Sequence, residues 1–282
     1  MLIGLIGHPV AHSKSPQMQN AAFAHVGLNN WRYELWDTPP EALPSRMRAL
    51  SERAEIAGCN VTIPHKQAVM PYLNGVSEHA RAIGAVNTVF KRERYLLGDN
   101  TDWIGFLADL AFHGVDVNGQ TRAVVLGAGG SARAIVYALA SRGARVWVHN
   151  RTPARVHALL DDLTNSPYLR EVRENCAVIA SLSNPACRTA NLIVNCTSAG
   201  MWPDEDSSPW PDDVPFPAGA VLYDLIYKPR VTKLMRRAEA AGARAIGGIG
   251  MLAEQGAAAF EKWTGVPAAR VSAIMREALQ DA

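Results

Sequence analysis

The sequence has no apolar run approaching the ~20 residues that a membrane-crossing helix needs, and it has no internal repeat or low-complexity tract. It has no basic block. Net charge is +2 and charged residues make up 19% of the chain, so nothing points to nucleic acid or an anionic membrane surface as a partner. Cysteine is scarce: Cys59, Cys176, Cys187 and Cys196 form no C-x-x-C pair and no zinc spacing. No metal is expected, and the four read as free thiols of a reducing cytoplasm. The opening "MLIGLIGHPVAH" is apolar but has no basic region and no cleavage site, so no secretory signal is expected. His8, His12, His65 and His149 are acid–base candidates by type only. No two of them have metal spacing, and none is given a role.

What is present is an ordinary globular composition, 48% apolar over 282 residues. That length suggests two domains, each able to bury a core. "LIGLIG" at 2–7 reads as a buried strand. A helix should follow, with Ser15 as cap, Pro16 at its first position, Met18, Ala22 and Val26 as its stripe and Gly27 as its end. "RYELWD" is a strand, about Pro40–Leu50 a helix, "GCNVT" a strand, and "VNTVF" with "YLLGDN" a hairpin. Thr101 and Asp102 should cap a helix running to His113, with the stripe Ile104, Leu107 and Leu110 or Ala111. That helix is taken as the link between domains. A second unit begins at "RAVVLGAGGSARA" and continues with the strands "RVWVHN", "CAVIA", "NLIVNC" and "VLYDLIY". The Pro- and Asp-rich stretch 201–219 is a loop, and helices are expected at about 250–264 and 267–280. This alternation predicts an α/β fold, with mostly parallel sheets and helices on both faces.

Three stretches carry chemistry. In "GCNVTIPHK", Val61, Thr62 and Ile63 favour a strand, and Pro64 stops ladder pairing while suiting the first turn of a helix. Lys66 should therefore sit past a strand end at a helix opening, where ligands bind in open α/β sheets. A solvated surface lysine is the plainer alternative. "VVLGAGGSARA" places Gly127, Gly129 and Ala132 in the spacing G-x-G-x-x-A between a strand and a helix, the context of a dinucleotide fingerprint. Gly127 allows the tight turn, Gly129 the approach of a pyrophosphate, and Ala132 close helix–strand packing. The following strand ends "VHNRTPAR", with no carboxylate for a ribose 2′-hydroxyl. Arg151 and Arg155 stand there instead, and a guanidinium takes a phosphate bidentately. NADP is predicted over NAD.

A nicotinamide cofactor implies hydride transfer and leaves the substrate to the first domain. Ser13 and Ser15, in "HPVAHSKSP", lie beside a helix N-terminus, a combination that suits a carboxylate. Helix capping is the rival for Ser15. Gln255 projects from the apolar side of its helix and needs partners there, from a neighbouring loop or from substrate hydroxyls. Asn60, Thr62 and Asn87 follow or flank strands, where side-chain-to-backbone bonds compete with ligand binding. Asp102 is either a helix cap or, if Lys66 is near, its partner.

Taken together, "GHPVAHSKSPQMQNAAF", "GCNVTIPHK", "AIGAVNTV", "GDNTDWIGF", "VLGAGGSARA", "NRTPAR", "NCTSAGM", "YDLIYKPRVT" and "GIGMLAEQGAAAFEKWTG" resemble the shikimate dehydrogenase family over nearly the whole chain. The resemblance implies NADPH-linked reduction of 3-dehydroshikimate to shikimate in aromatic amino acid biosynthesis. It implies a discontinuous substrate domain (1–102 plus 248–282), a Rossmann-type NADP domain (103–247) and an active site in the cleft between them. Lys66 and Asp102 match the family's catalytic pair, and Ser13 and Ser15 its carboxylate-binding hydroxyls. Asn60, Thr62, Asn87 and Gln255 match side chains that bind or support ring hydroxyls, and Tyr227 a tyrosine near the carboxylate. Gly127, Ala128, Gly129, Gly130, Ser131 and Ala132 match the pyrophosphate turn. Asn150, Arg151, Thr152 and Arg155 match the 2′-phosphate site, and Thr197, Gly248 and Met251 further cofactor contacts. The chain departs from the family at Gln19-Asn20, where His-Asn is usual.

Two competing readings remain at this level. A quinate or dual quinate/shikimate dehydrogenase using NAD would have to place an extra hydroxyl near Ser13 and Ser15. A non-catalytic regulatory homologue would be expected to lose Lys66 or Asp102, or to gain a DNA-binding segment. The expected partners are the small-molecule substrate and cofactor, with the chain a monomer or homodimer.

Overall fold

A computed structural model describes residues 1–164 and 172–280. The chain divides into two compact units, Met1–Asp109 with Gly250–Ala282, and Leu110–Ile249.

The first unit opens with β1 (Leu2–Gly7), α1 (Ser15–His25), β2 (Arg32–Asp37), α2 (Leu43–Glu52), β3 (Ile56–Val61), the two-residue β4 (Gly75–Val76), α3 (Glu78–Ile83), β5 (Thr88–Arg92), β6 (Tyr95–Asp99) and α4 (Asp102–Phe112). Its sheet runs in the order β2-β1-β3-β5-β6-β4. β1 is parallel to β2 and to β3, while the β5–β6 hairpin is antiparallel within itself and to β3. The sheet is therefore mixed, because a short hairpin returns the chain without a crossover helix. β1 and β3 are central and buried along almost their whole length, and Ile6, Met47, Leu50, Val61 and Val89 pack one face of this core.

Several local expectations are corrected. Ser15 is the first helical residue of α1 rather than its cap: Lys14 holds the cap position, and no side chain caps there. Val26 is only half-buried, and Phe23 fills the core beside Met18 and Ala22. Lys66 does not open a helix. Residues 62–69 form successive turns leading to a 3-10 turn at Met70–Tyr72, because the Lys66 carbonyl accepts from the distant Val86 N–H at 2.7 Å. In α4 the inward face is Gly105, Phe106, Asp109 and Leu110, whereas Ile104 is 36% exposed and Ala111 is exposed.

The second unit contains β7 (Arg122–Leu126), α5 (Gly130–Ala140), β8 (Arg145–His149), α6 (Pro153–Thr164), α7 (Val172–Asn175), β9 (Cys176–Val178), α8 (Pro185–Thr189), β10 (Leu192–Asn195), β11 (Val221–Asp224), α9 (Lys233–Ala240) and β12 (Arg244–Gly247). All its strand pairs are parallel, in the order β12-β11-β10-β7-β8-β9. Strand order reverses between β7 and β10, the place where ligands bind in doubly wound sheets. Val124, Leu126, Ile193, Leu222 and Trp210 are buried together on one side.

The chain returns to the first unit through α10 (Ile249–Thr264), a 3-10 turn at Ala268–Arg270 and α11 (Ser272–Gln280). The last helix thus starts later than its apolar pattern suggests. Arg276 ties it down, reaching Glu254 Oε1 on α10 at 2.7 Å and Asp109 Oδ1 on α4 at 2.8 Å.

Candidate active site

Chain reversal after β3 brings Lys66 to the start of α4. Lys66 Nζ lies 2.6 Å from Asp102 Oδ2, with side chains only 11% and 6% exposed. Asp102 is not the cap of α4. Asn100 Oδ1 accepts the Asp102 N–H at 3.0 Å, and the Thr101 carbonyl accepts Gly105 N at 3.0 Å. The Asp102 carboxylate is thereby left for other partners. Its Oδ1 accepts from Asn87 Nδ2 at 2.8 Å.

Asn87 is fixed in turn. Its Oδ1 accepts Thr101 N at 2.8 Å and Thr88 Oγ1 at 3.0 Å. Its Nδ2 also faces Thr101 Oγ1 at 2.9 Å and Gln255 Oε1 at 3.3 Å. Gln255 meets the need for partners from within the protein: its Nε2 donates to the Leu252 carbonyl at 2.8 Å. A desolvated ion pair held by this many hydrogen bonds stays in one geometry, because breaking it would strand a buried charge.

A second chain of polar groups reaches the same cluster from α1. Ser13 Oγ is 3.1 Å from Ser15 Oγ, and the Ser15 hydroxyl hydrogen-bonds the Tyr33 phenol. Tyr33 donates to Asn60 Oδ1 at 2.8 Å. Asn60 Nδ2 donates to the Asn87 carbonyl at 3.1 Å and Thr88 Oγ1 at 3.2 Å. Burial pushes the Tyr33 phenol well above its ordinary pKa, the buried Cys59 adding to the shift and the Ser15 bond opposing it. Both amide hydrogens of Asn60 are thus used inside the protein. Thr62 is half-buried just past β3. Gln19, where the chain departs from the family pattern, is buried and donates to the Gly256 carbonyl at 3.0 Å.

Sequence reasoning missed Tyr33, Thr88, Asn100 and Thr101 as members of this cluster. Tyr33 sits in an alternating strand and reads as core. Thr101 reads as a helix cap, Thr88 and Asn100 signal only as polar residues at strand ends, and burial is not visible in one sequence.

In the second unit, Gly127 follows β7 at φ +110°, a backbone conformation that favours glycine. A Cβ there would lie 3.2 Å from the Cys196 carbonyl carbon and oxygen. Gly129 caps α5, and a Cβ there would meet nothing within 4 Å. The backbone is unobstructed at Gly129, which suits the approach of a pyrophosphate to a helix N-terminus. Ala128, Gly130 and Ser131 line the same turn, and Ala132 is fully buried against the sheet. After β8, Asn150 Nδ2 donates to the Thr152 carbonyl at 3.1 Å. Arg151 and Arg155 are exposed, and no carboxylate pairs with either among the described residues. These residues fit a dinucleotide bearing an extra phosphate. Thr197 and Tyr227 are half-buried in the same unit, Gly248 is buried near its end, and Met251 lies on α10 of the first unit.

Residues 5–89 match the model of the shikimate dehydrogenase substrate binding domain, 109–199 that of shikimate / quinate 5-dehydrogenase, and 248–280 that of the shikimate 5′-dehydrogenase C-terminal domain. The chain is 44% identical over 267 residues to a Symbiobacterium thermophilum protein named shikimate dehydrogenase (NADP(+)), covering 94% of this chain and 89% of that one. It is 44% identical over 280 residues to a protein of the same name from Salinibacter ruber, covering 98% and 96%. Among solved structures, the shikimate 5-dehydrogenase of Thermus thermophilus in complex with NADP(H) and shikimate matches with a TM-score of 0.85 at 40% identity, over 99% of both chains.

Proposed function

The chain belongs to the shikimate dehydrogenase family, and from that premise we propose that it catalyses the reversible NADP-dependent reduction of 3-dehydroshikimate to shikimate in aromatic amino acid (chorismate) biosynthesis. The observation that carries the reading is the desolvated Lys66–Asp102 pair, 2.6 Å apart at the strand-end side of the first unit. A regulatory homologue has no need of such a pair.

The first unit takes the substrate and the second the cofactor. The bound cofactor supplies the hydride that the ketone carbon receives. Lys66 Nζ donates a proton to the carbonyl oxygen in reduction and takes it back in oxidation, the role of a general acid–base. Asp102 holds that nitrogen through Oδ2, while Asn87 holds Asp102 through Oδ1.

Ser13 and Ser15 receive the carboxylate beside the α1 N-terminus. Thr62, Asn87 and Gln255 face ring hydroxyls, and Asn60 supports them through Asn87 and Thr88. We assign Tyr227 to the carboxylate as well. Gly127 to Ala132 hold the pyrophosphate, with Thr197, Gly248 and Met251 as further cofactor contacts. Asn150, Arg151, Thr152 and Arg155 hold the 2′-phosphate, bidentately where a guanidinium faces it.

We place the reaction in the cytoplasm, in keeping with four free thiols, and take the chain as a monomer or homodimer. No helix among the described residues is long and apolar enough to cross a membrane. The test is the initial rate of nicotinamide reduction with shikimate and quinate, each against NADP and NAD. Activity concentrated on shikimate with NADP supports the reading. Strong quinate or NAD activity overturns the serine or the arginine assignment respectively, and no activity with folded protein overturns the function.

A further inference from the structure

Asp224 ends β11 and is fully buried, yet it has no place in the chemistry above. Three neutral donors meet its two oxygens. Oδ1 accepts Asn195 Nδ2 at 2.9 Å and Ile226 N at 3.1 Å, and Oδ2 accepts Thr232 Oγ1 at 2.8 Å. No cation pairs with it among the described residues.

The bond to Asn195 has a direction. A carboxylate only accepts, so the Asn195 amide must turn its NH2 toward Asp224 and its Oδ1 away. That outward oxygen accepts Thr197 N at 3.0 Å and Thr197 Oγ1 at 2.8 Å. A flipped amide would set oxygen against carboxylate on one side and NH2 against the Thr197 N–H on the other. Asp224 therefore decides which way Asn195 points, and Asn195 decides where Thr197 lies.

The loop so placed is the one that packs on the fingerprint turn. A Cβ at Gly127 would lie 3.2 Å from the Cys196 carbonyl and 3.3 Å from Thr197 Cγ2. The third partner leads elsewhere: Thr232 caps α9, accepting Met235 N at 3.1 Å.

We propose that Asp224 is a positioning residue for the cofactor site, setting the Cys196–Thr197 loop against the Gly127 turn through Asn195 and so controlling NADP affinity without touching NADP. This rests on the NADP reading above. It adds a function for the Asp of "YDLIY" and the Asn of "NCTSAG", which the catalytic and binding assignments leave unused.

The experiment is a fluorescence titration of the full-length protein with NADPH, with a thermal melt of each variant. Asp224→Ala frees the Asn195 amide and should raise the Kd about ten-fold, the scale of one lost buried hydrogen bond. Asp224→Asn should bind within two-fold of wild type. Its carbonyl can still accept from Asn195 and Ile226, and its NH2 can donate to Thr232. Thr232→Val removes a donor and the α9 cap, so it should melt earlier while keeping the wild-type Kd within two-fold.

That pattern separates positioning from mere stabilisation. If Asp224→Ala does not fold, Asn195→Ala carries the same test and should raise the Kd by a similar factor. Equal NADPH affinity in Asp224→Ala and wild type, or equal weakening in Asp224→Ala and Thr232→Val, would overturn the proposal. Wild-type protein that fails to bind NADPH would instead overturn the cofactor reading on which it rests.

Discussion

Asp102 divides its two oxygens between Lys66 Nζ at 2.6 Å and Asn87 Nδ2 at 2.8 Å. One oxygen is thus anchored in the fold and the other presents the amine. If Lys66 moves the proton, Lys66→Ala should lower kcat by roughly 10²–10⁴-fold, the usual range for a lost general acid–base. The Kd for shikimate should change little, because the side chains proposed to hold its carboxylate and ring hydroxyls all remain in the variant. Steady-state rates together with a direct shikimate titration check this, and a near-normal kcat would remove Lys66 from the chemistry.

Asp102→Asn tests the anchor separately. An amide at 102 can keep its oxygen toward Asn87 Nδ2, but its NH2 then faces the Lys66 ammonium, donor against donor. The lysine loses its partner while the carbon skeleton is unchanged. We expect kcat to fall by a large factor and thermal stability to fall with it, because removing one member of a desolvated pair leaves the other uncompensated. A variant with full activity would show that Lys66 needs no partner.

The two sites differed in how far the sequence disclosed them. The fingerprint was legible because it is local: Gly127, Gly129 and Ala132 lie within one strand–turn–helix, and the backbone conformation they permit is the one observed. The Lys66–Asp102 pair was not legible from spacing, since the two are 36 residues apart, and Asp102 had an equally good local explanation as a cap. Asn100 Oδ1 instead takes the Asp102 N–H and leaves its carboxylate free for Lys66 and Asn87, which only the fold reveals. Tyr33 escaped for a related reason, its role being set by Asn60 on another strand. β4 and β12, of two and four residues, are too short for any alternation to register. The apolar pattern of α4 misled because its buried face includes Asp109, matched by Arg276 from the far end of the chain.

Arg151 and Arg155 are exposed, and their effect should therefore be confined to the ligand that carries the extra phosphate. Replacing both with alanine should raise the KM for NADP at least ten-fold, leave the KM for NAD within about two-fold, and reduce the salt dependence of NADP binding. Kinetics with each cofactor at two ionic strengths check this. Parallel changes for NADP and NAD would show that the arginines do not read the 2′-phosphate.

Burial pushes the Asp224 carboxyl up to about 6. Thr232, Ile226 N and Asn195 oppose the rise without cancelling it. The folded protein therefore holds this proton more tightly than the unfolded chain does. Stability contributed by the protonated group is present at low pH and is lost as pH climbs from about 4 through about 6. By pH 7 the loss should amount to about 3 kcal/mol. Asp224→Asn has no such proton, so its stability relative to wild type should improve by about that amount between pH 4 and pH 7. Urea unfolding of both proteins at pH steps across this window measures the difference, and parallel curves would show that the carboxyl titrates normally.

Tyr33→Phe removes one oxygen from the chain that joins Ser15 to Asn60. Asn60 cannot compensate by turning over, because its NH2 is already committed to the Asn87 carbonyl and Thr88 Oγ1. Its Oδ1 would remain buried without its donor, and Ser15 would lose its inward partner. A buried acceptor left unsatisfied costs about 1–3 kcal/mol, so the urea midpoint should fall while the unfolding slope stays the same. The Lys66–Asp102 pair is held independently by Asn87 and Asn100, and kcat in the variant should therefore stay within a few-fold of wild type. A kcat loss as large as that of Lys66→Ala would show that the two polar chains are coupled through Asn60 and Asn87. An unchanged midpoint would show that the Tyr33 hydroxyl is not needed to satisfy Asn60.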